Sequence, residues 1–218
     1  MTESVTTESQ IEAGVLDFER LRIARLKTDP FDYLLASGVI SADYTDRLIR
    51  DYPVIGKAGS FPLSSVNCGP DFSRLIQALD GREFREVVEE KFSIQLGGRP
   101  TMFTVRGYCR LKDGKIHTDT ESKMITVLLY MNRGWAPAVG RLRLLRSAEN
   151  LHDVAVEILP NFGTMLIFRR CDHSFHGHLP FEGARRVIQM NWVTEQKFVD
   201  RENKRHRWSA LFKKLQFA

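Results

Sequence analysis

From Val15 to Leu26 apolar side chains recur at helical spacing (Val15, Leu16, Leu21, Ile23, Leu26) and Pro30 lies just beyond, so the pattern predicts a helix over this stretch. Ser41 to Asp51 repeats it, with Ser41 as the expected N-cap before Tyr44, Leu48 and Ile49. A connection rich in Gly, Pro and Ser runs from Pro53 to Pro70. Asp71 to Phe92 then reads as helix, broken once at Asp80-Gly81.

After Gly97-Gly98 the period changes. Residues 101–110, 124–132, 140–146, 154–159, 164–169 and 185–193 are short β-branched or aromatic segments. Turn signals separate them: Lys112-Asp113-Gly114, Asn132-Arg133-Gly134, Pro160 to Gly163 and Pro180 to Gly183. Helices first and strands after predict a helical layer packed on an antiparallel β-sandwich or barrel. On this reading the chain divides into a leader (1–14), a helical layer (15–98), a β core (99–200) and a basic amphipathic C-terminal helix (201–218).

The composition of the 218 residues, 43% hydrophobic and 27% charged, is globular and excludes wholesale disorder, collagen and coiled coil. The longest nearly apolar run, Met124 to Met131, falls far short of the ~20 residues of a membrane span. The first fourteen residues are polar and acidic, without the basic start and apolar stretch of a secretory signal. Cys68, Cys109 and Cys171 show no CxxC spacing and read as reduced thiols, which predicts a cytoplasmic protein.

The net charge of +5 resides in the tail. From position 201 onward, Arg201, Lys204, Arg205, Arg207, Lys213 and Lys214 face only Glu202, so the first 200 residues sum to zero. A nucleic-acid partner for the domain has little support. Trp208, Leu211, Phe212 and Leu215 form an apolar stripe at helical spacing beside those cations. The stripe predicts docking on the protein itself; a homodimer contact and an anionic membrane surface are the competing covers.

Candidate chemistry sits in the β half. On a strand, residues i and i+2 share a face, so His117 and Asp119 can present a nitrogen and an oxygen side by side. A third ligand is available where His173, His176 and His178 crowd before the last strand. Two His and one carboxylate on Fe(II) leave three open positions, as in non-haem oxygenases. Arg186 enters the apolar strand Val187 to Trp192, a costly place for a cation without an anionic partner. A guanidinium fork facing a carboxylate meets that need.

These segments together resemble the 2-oxoglutarate- and iron(II)-dependent dioxygenases, specifically their prolyl-hydroxylase-like branch. The resemblance runs from about Thr101 to Val193. It is carried in order by HTD (His117 to Asp119), TVLLYMN (Thr126 to Asn132), GRLRLL (Gly140 to Leu145), PNFGTMLIF (Pro160 to Phe168), SFHG (Ser174 to Gly177) and GARRVIQMNW (Gly183 to Trp192). It implies a mainly β fold with α, a double-stranded β-helix (jelly roll) under an N-terminal helical layer.

The same resemblance implies His117, Asp119 and His176 as iron ligands, the SFHG frame selecting His176 over His173 and His178. It matches Arg186 to the residue that pairs with the distal carboxylate of 2-oxoglutarate, with Arg185 on the opposite face. Tyr130 matches a phenol donating to that carboxylate, and Thr126, Leu142 and Phe168 match positions lining the cosubstrate pocket. The chain departs from the family at Val139-Gly140, where a pair of glycines is usual. It departs again at Arg110-Leu111, where a tyrosine is common, leaving Arg106 or Arg110 to make proximal contacts. Lys123, Arg141 and Arg143 read as outward or solvated.

The implied activity is hydroxylation of an unactivated C–H bond with formation of succinate and CO2, using Fe(II), 2-oxoglutarate and O2, with ascorbate as a candidate reductant. The implied substrate is a small molecule or a peptide. A cupin-like metal-binding or sensor protein without 2-oxoglutarate turnover is the alternative from another class; Arg186 with Tyr130 argues against it. An interaction module using the basic C-terminal helix is a third reading.

Overall fold

The computed structural model describes residues 14–204. The leader up to residue 13 and residues 205–218, with the Trp208 stripe, lie outside the described residues. Four α-helices and ten strands follow in order: α1 (Phe18–Ile23), β1 (Leu26–Lys27), β2 (Tyr33–Ala36), α2 (Thr45–Asp51), β3 (Phe61–Pro62), α3 (Pro70–Leu79), α4 (Arg82–Phe92), β4 (Thr101–Cys109), β5 (Lys123–Tyr130), β6 (Leu142–Leu145), β7 (Val154–Ile158), β8 (Met165–Arg169), β9 (His176–Gly177) and β10 (Gly183–Val193). Residues 196–204 are helical.

The strands form a seven-stranded sheet in the order β1-β2-β8-β5-β10-β4-β3 and a three-stranded sheet in the order β7-β6-β9. Both are antiparallel throughout. The two sheets face each other as the halves of a double-stranded β-helix, and β10 lies between β5 and β4.

Alternation along the central strands sorts their side chains into two cores. Ile125, Val127 and Leu129 of β5, Met165 and Ile167 of β8, and Ile188, Met190 and Trp192 of β10 pack with Leu48, Phe72, Leu75, Phe84 and Val88 from the helices. The Phe84 ring stacks on Trp192 with centroids 5.9 Å apart. The opposite faces carry Tyr130, Leu166, Phe168 and Val187, which pack with Leu142, Leu144 and Ile158 between the sheets. The large sheet is therefore buried on both faces, which makes its strands read as nearly continuous apolar runs.

The N-terminal region departs from the helical layer expected over 15–98. The first helix covers six residues rather than Val15 to Leu26, and β1 and β2 follow it to extend the large sheet beside β8. Ser41 does not cap α2: a 3-10 turn at Ala42–Tyr44 precedes the helix, and the Ser41 hydroxyl instead donates to the Gly14 carbonyl. The break at Asp80-Gly81 stands where expected, between α3 and α4.

Candidate active site

One end of the barrel opens into a cavity of about 170 Å³ whose lining includes His117, Asp119, Thr126, Leu142, His176, His178 and Arg185. His117 and Asp119 lie in the turn-rich segment between β4 and β5, and His176 opens the two-residue strand β9. A reciprocal pair of backbone hydrogen bonds (His117 N to His176 O, 3.1 Å; His176 N to His117 O, 2.9 Å) clamps the two segments together. One ligand atom from each of His117, Asp119 and His176 lies within 4.8 Å of the other two.

Local contacts prepare these groups for a metal. His117 Nδ1 lies 2.9 Å from Lys115 O, and His176 Nδ1 lies 2.9 Å from Ser174 O. A carbonyl can only accept, so each Nδ1 donates its proton to it and each Nε2 is the ring nitrogen left to meet a metal. Burial, with His117 nearby, lowers the His176 pKa to about 4, which holds the ring neutral. For Asp119, burial alone would raise the pKa. The Lys123 charge, His176 and hydrogen bonds from Lys123 and Thr126 outweigh it and hold the carboxyl below its usual range. Two imidazoles and one carboxylate are a donor set suited to non-haem Fe(II), so the residues present fit that ion.

Lys123 and Thr126 grip the two oxygens of Asp119. Lys123 Nζ donates to Oδ1 at 2.6 Å and Thr126 Oγ1 to Oδ2 at 2.5 Å, while Asn191 Nδ2 donates to Thr126 Oγ1 at 2.7 Å. Lys123 is thus no solvated strand end: only 15% of its side chain is exposed. The reason is the buried carboxylate beside it, which needs a cation.

Arginine facing is the main correction. Arg185 is buried and lines the cavity; its Nε donates to Gly140 O at 2.9 Å and its Nη2 lies 3.4 Å from the Tyr130 hydroxyl. Among the described residues no carboxylate pairs with it. Arg186, expected inside, is exposed and lies over the Tyr52 ring at 5.6 Å. The register between β10 and β4 shifts between Ala184 and Val187, so the two arginines occupy a bulge. Beyond the bulge, Val187, Gln189 and Asn191 share the cavity side, whereas Ile188, Met190 and Trp192 face the helices. The apolar face of β10 belongs to the helix-side core, not to the barrel interior.

Tyr130 is fully buried, and burial, opposed in part by Arg185, pushes its phenol up, so it remains a protonated donor. Leu142 lines the cavity, while Phe168 stands behind it with its ring 5.0 Å from that of His176. Gly140 takes φ +77°, and a Cβ there would come within 2.7 Å of Phe181, so a glycine is required where Arg185 is anchored.

His173 is exposed, but His178 is buried on the cavity wall with Nδ1 2.8 Å from Leu179 O. Arg110 is exposed, leaving Arg106 as the cavity-lining cation of β4. Sequence reasoning missed the cavity positions of His178 and Gln189. The polar residues at 189 and 191 on one side of an otherwise apolar strand were the available signal, because they mark the cavity side and Arg185 shares it.

A double-stranded β-helix with two histidines and an aspartate converging in one end is the architecture of a non-haem iron oxygenase. The family model of the 2OG-Fe(II) oxygenase superfamily matches residues 104–194, the stretch that holds His117, Asp119, His176 and Arg185. The protein is accordingly an oxidoreductase whose cofactor is Fe(II) and whose cosubstrates are 2-oxoglutarate and O2.

Solved structures share the fold at low identity. A prolyl-4-hydroxylase of Pseudomonas putida is 16% identical with a TM-score of 0.51, over 75% of this chain and 92% of that one. A prolyl 4-hydroxylase of Phytophthora capsici is 17% identical with a TM-score of 0.55, over 84% and 67%. Iron-bound HygX of Streptomyces hygroscopicus is 13% identical with a TM-score of 0.51, over 82% and 87%. No curated protein matches the sequence. Among the described residues no helix is long and apolar enough to cross a membrane.

Proposed function

We propose that this protein is a cytoplasmic hydroxylase that oxidises an unactivated C–H bond of a small-molecule or peptide substrate while 2-oxoglutarate is converted to succinate and CO2. The observation that carries this reading is Arg185: a buried guanidinium with no carboxylate partner among the described residues, in the same cavity as the His117, Asp119 and His176 donors. A metal-binding sensor has no use for such a cation, whereas a dicarboxylate cosubstrate supplies its missing anion.

His117 Nε2, His176 Nε2 and an Asp119 oxygen would hold Fe(II), which when bound supplies the oxidising chemistry with 2-oxoglutarate and O2. Arg185 and the Tyr130 hydroxyl would bind the far carboxylate of 2-oxoglutarate, Arg185 by charge and Tyr130 as a neutral donor. Gly140 O and the Tyr130 ring, 5.3 Å from the Arg185 Cζ, fix the guanidinium in place. Leu142 contributes apolar wall, and Thr126 orients Asp119. The test is succinate formation from 2-oxoglutarate by the Fe(II)-reconstituted protein across a panel of candidate substrates. Turnover that disappears in His176→Ala supports the reading; no succinate under any condition overturns it.

A further inference from the structure

We propose that the cavity admits, beside 2-oxoglutarate, a small-molecule substrate bearing one free carboxylate, and that Arg106 binds that carboxylate. The inference rests on the 2-oxoglutarate reading above and names the substrate class of the same site.

Arg106 projects from β4 into the cavity lining with 27% of its side chain exposed. Its partners differ from those of Arg185: Nη2 donates to Ser60 Oγ at 3.1 Å, and Nη1 lies 3.8 Å from Cys109 Sγ and 3.4 Å from Asp113 Oδ2. The last separation is long for a charge-assisted bond, which closes to ~2.7–2.9 Å. The same Asp113 oxygen already accepts the Arg110 backbone N–H at 3.0 Å. The Arg106 guanidinium is thus poorly satisfied and faces a space that a ligand can enter.

Charge balance leads to the same place. Three cations (Arg106, Lys123, Arg185) stand against two anions, Asp119 in the cavity and Asp113 behind Arg106, leaving one surplus positive charge. A divalent ion and a dicarboxylate cosubstrate cancel each other, so the surplus persists in the loaded site. One singly charged anion removes it. A carboxylate fits better than a phosphate monoester, which carries about −1.5 to −2 at neutral pH. The placement of Arg106 within a cavity of about 170 Å³ suits a small acid better than a folded protein surface.

The experiment uses the full chain loaded with Co(II) and saturated with N-oxalylglycine, an inert analogue of 2-oxoglutarate. A panel of free amino acids, 2-hydroxy acids and simple aliphatic acids, each paired with its primary amide, is titrated calorimetrically beside matched phosphate monoesters. The expected result is an acid that binds at least tenfold more tightly than its amide. Arg106→Met should erase that preference and Arg106→Lys retain part of it, with both melting as the wild type does. Arg106→Met should weaken the acid at least tenfold more than it weakens N-oxalylglycine. Amides equal to acids, no acid bound, phosphate esters bound in place of acids, or an equal loss of N-oxalylglycine each overturn the proposal. Failure of N-oxalylglycine to bind the wild type sinks the underlying 2-oxoglutarate reading instead.

Discussion

Arg185 Nη2 lies 3.4 Å from the hydroxyl of Tyr130, inside the barrel. Arg185→Ala should weaken 2-oxoglutarate by ~30-fold or more, since a buried charge pair that loses one partner costs ~2–5 kcal/mol. Tyr130→Phe removes one donor and should cost about 3–10-fold. Arg186→Ala should change the affinity by less than about twofold. Calorimetry on the Co(II)-loaded variants decides; equal losses at 185 and 186 would refute the facing.

His117→Ala, Asp119→Ala and His176→Ala should each abolish Mn(II) binding, monitored by electron paramagnetic resonance of the free ion. His173→Ala should leave it intact because that ring is exposed and away from the donor cluster. Metal loss in His173→Ala with retention in His176→Ala would reassign the third ligand.

Thr126→Val keeps shape but removes the hydroxyl that joins Asp119 to Asn191. Substitution of such a supporting group commonly weakens metal affinity ~10–100-fold. The expected signature is weaker Mn(II) binding with a near-normal fold by circular dichroism. An unchanged dissociation constant would show that Lys123 alone suffices to orient the carboxylate.

Phe84→Ala tests the helix-side core. Phe84 and Trp192 are both almost wholly buried and stacked, so truncation should cost about 3–5 kcal/mol in chemical denaturation. A loss under about 1 kcal/mol would mean that α4 is not integral to the sheet's support.

Gly177→Ala should disturb the metal end, because a Cβ at 177 would meet the Gly114 carbonyl oxygen at 2.8 Å. That backbone cannot move without breaking the bond from His178 N to Gly114 O. A lower melting temperature together with weaker Mn(II) binding is expected; a wild-type melting temperature would contradict it.

Much of this was legible in the residues. The six predicted β segments coincide with β4, β5, β6, β7, β8 and β10. His117, Asp119 and His176 converge as the motif order implied. The facing of β10 was not legible from its apolar run, because alternation fixes which residues share a side but not which side is the cavity when both are buried. Arg185 and Arg186 were correctly set on opposite sides and then assigned to the wrong ones. The short strands β1, β2 and β3 were hidden for another reason: two to four residues are too few to show a period, and their pairing depends on partners distant in sequence.

β10 is hydrogen-bonded to a neighbour along both edges, whereas His117 hangs from a single bridge to β9. The two ends of the cavity therefore differ in how readily they open. Tyr130 rides on the sheet interior and Arg185 stands in the bulge just before the stretch of β10 bonded along both edges, whose amides should exchange with solvent only on global unfolding, so the cosubstrate end is the more preformed of the two. The segment from Gly114 to Ser122, carrying His117 and Asp119, can open locally at far lower cost. Capture of the metal should then slow amide exchange in this segment and leave β10 unchanged.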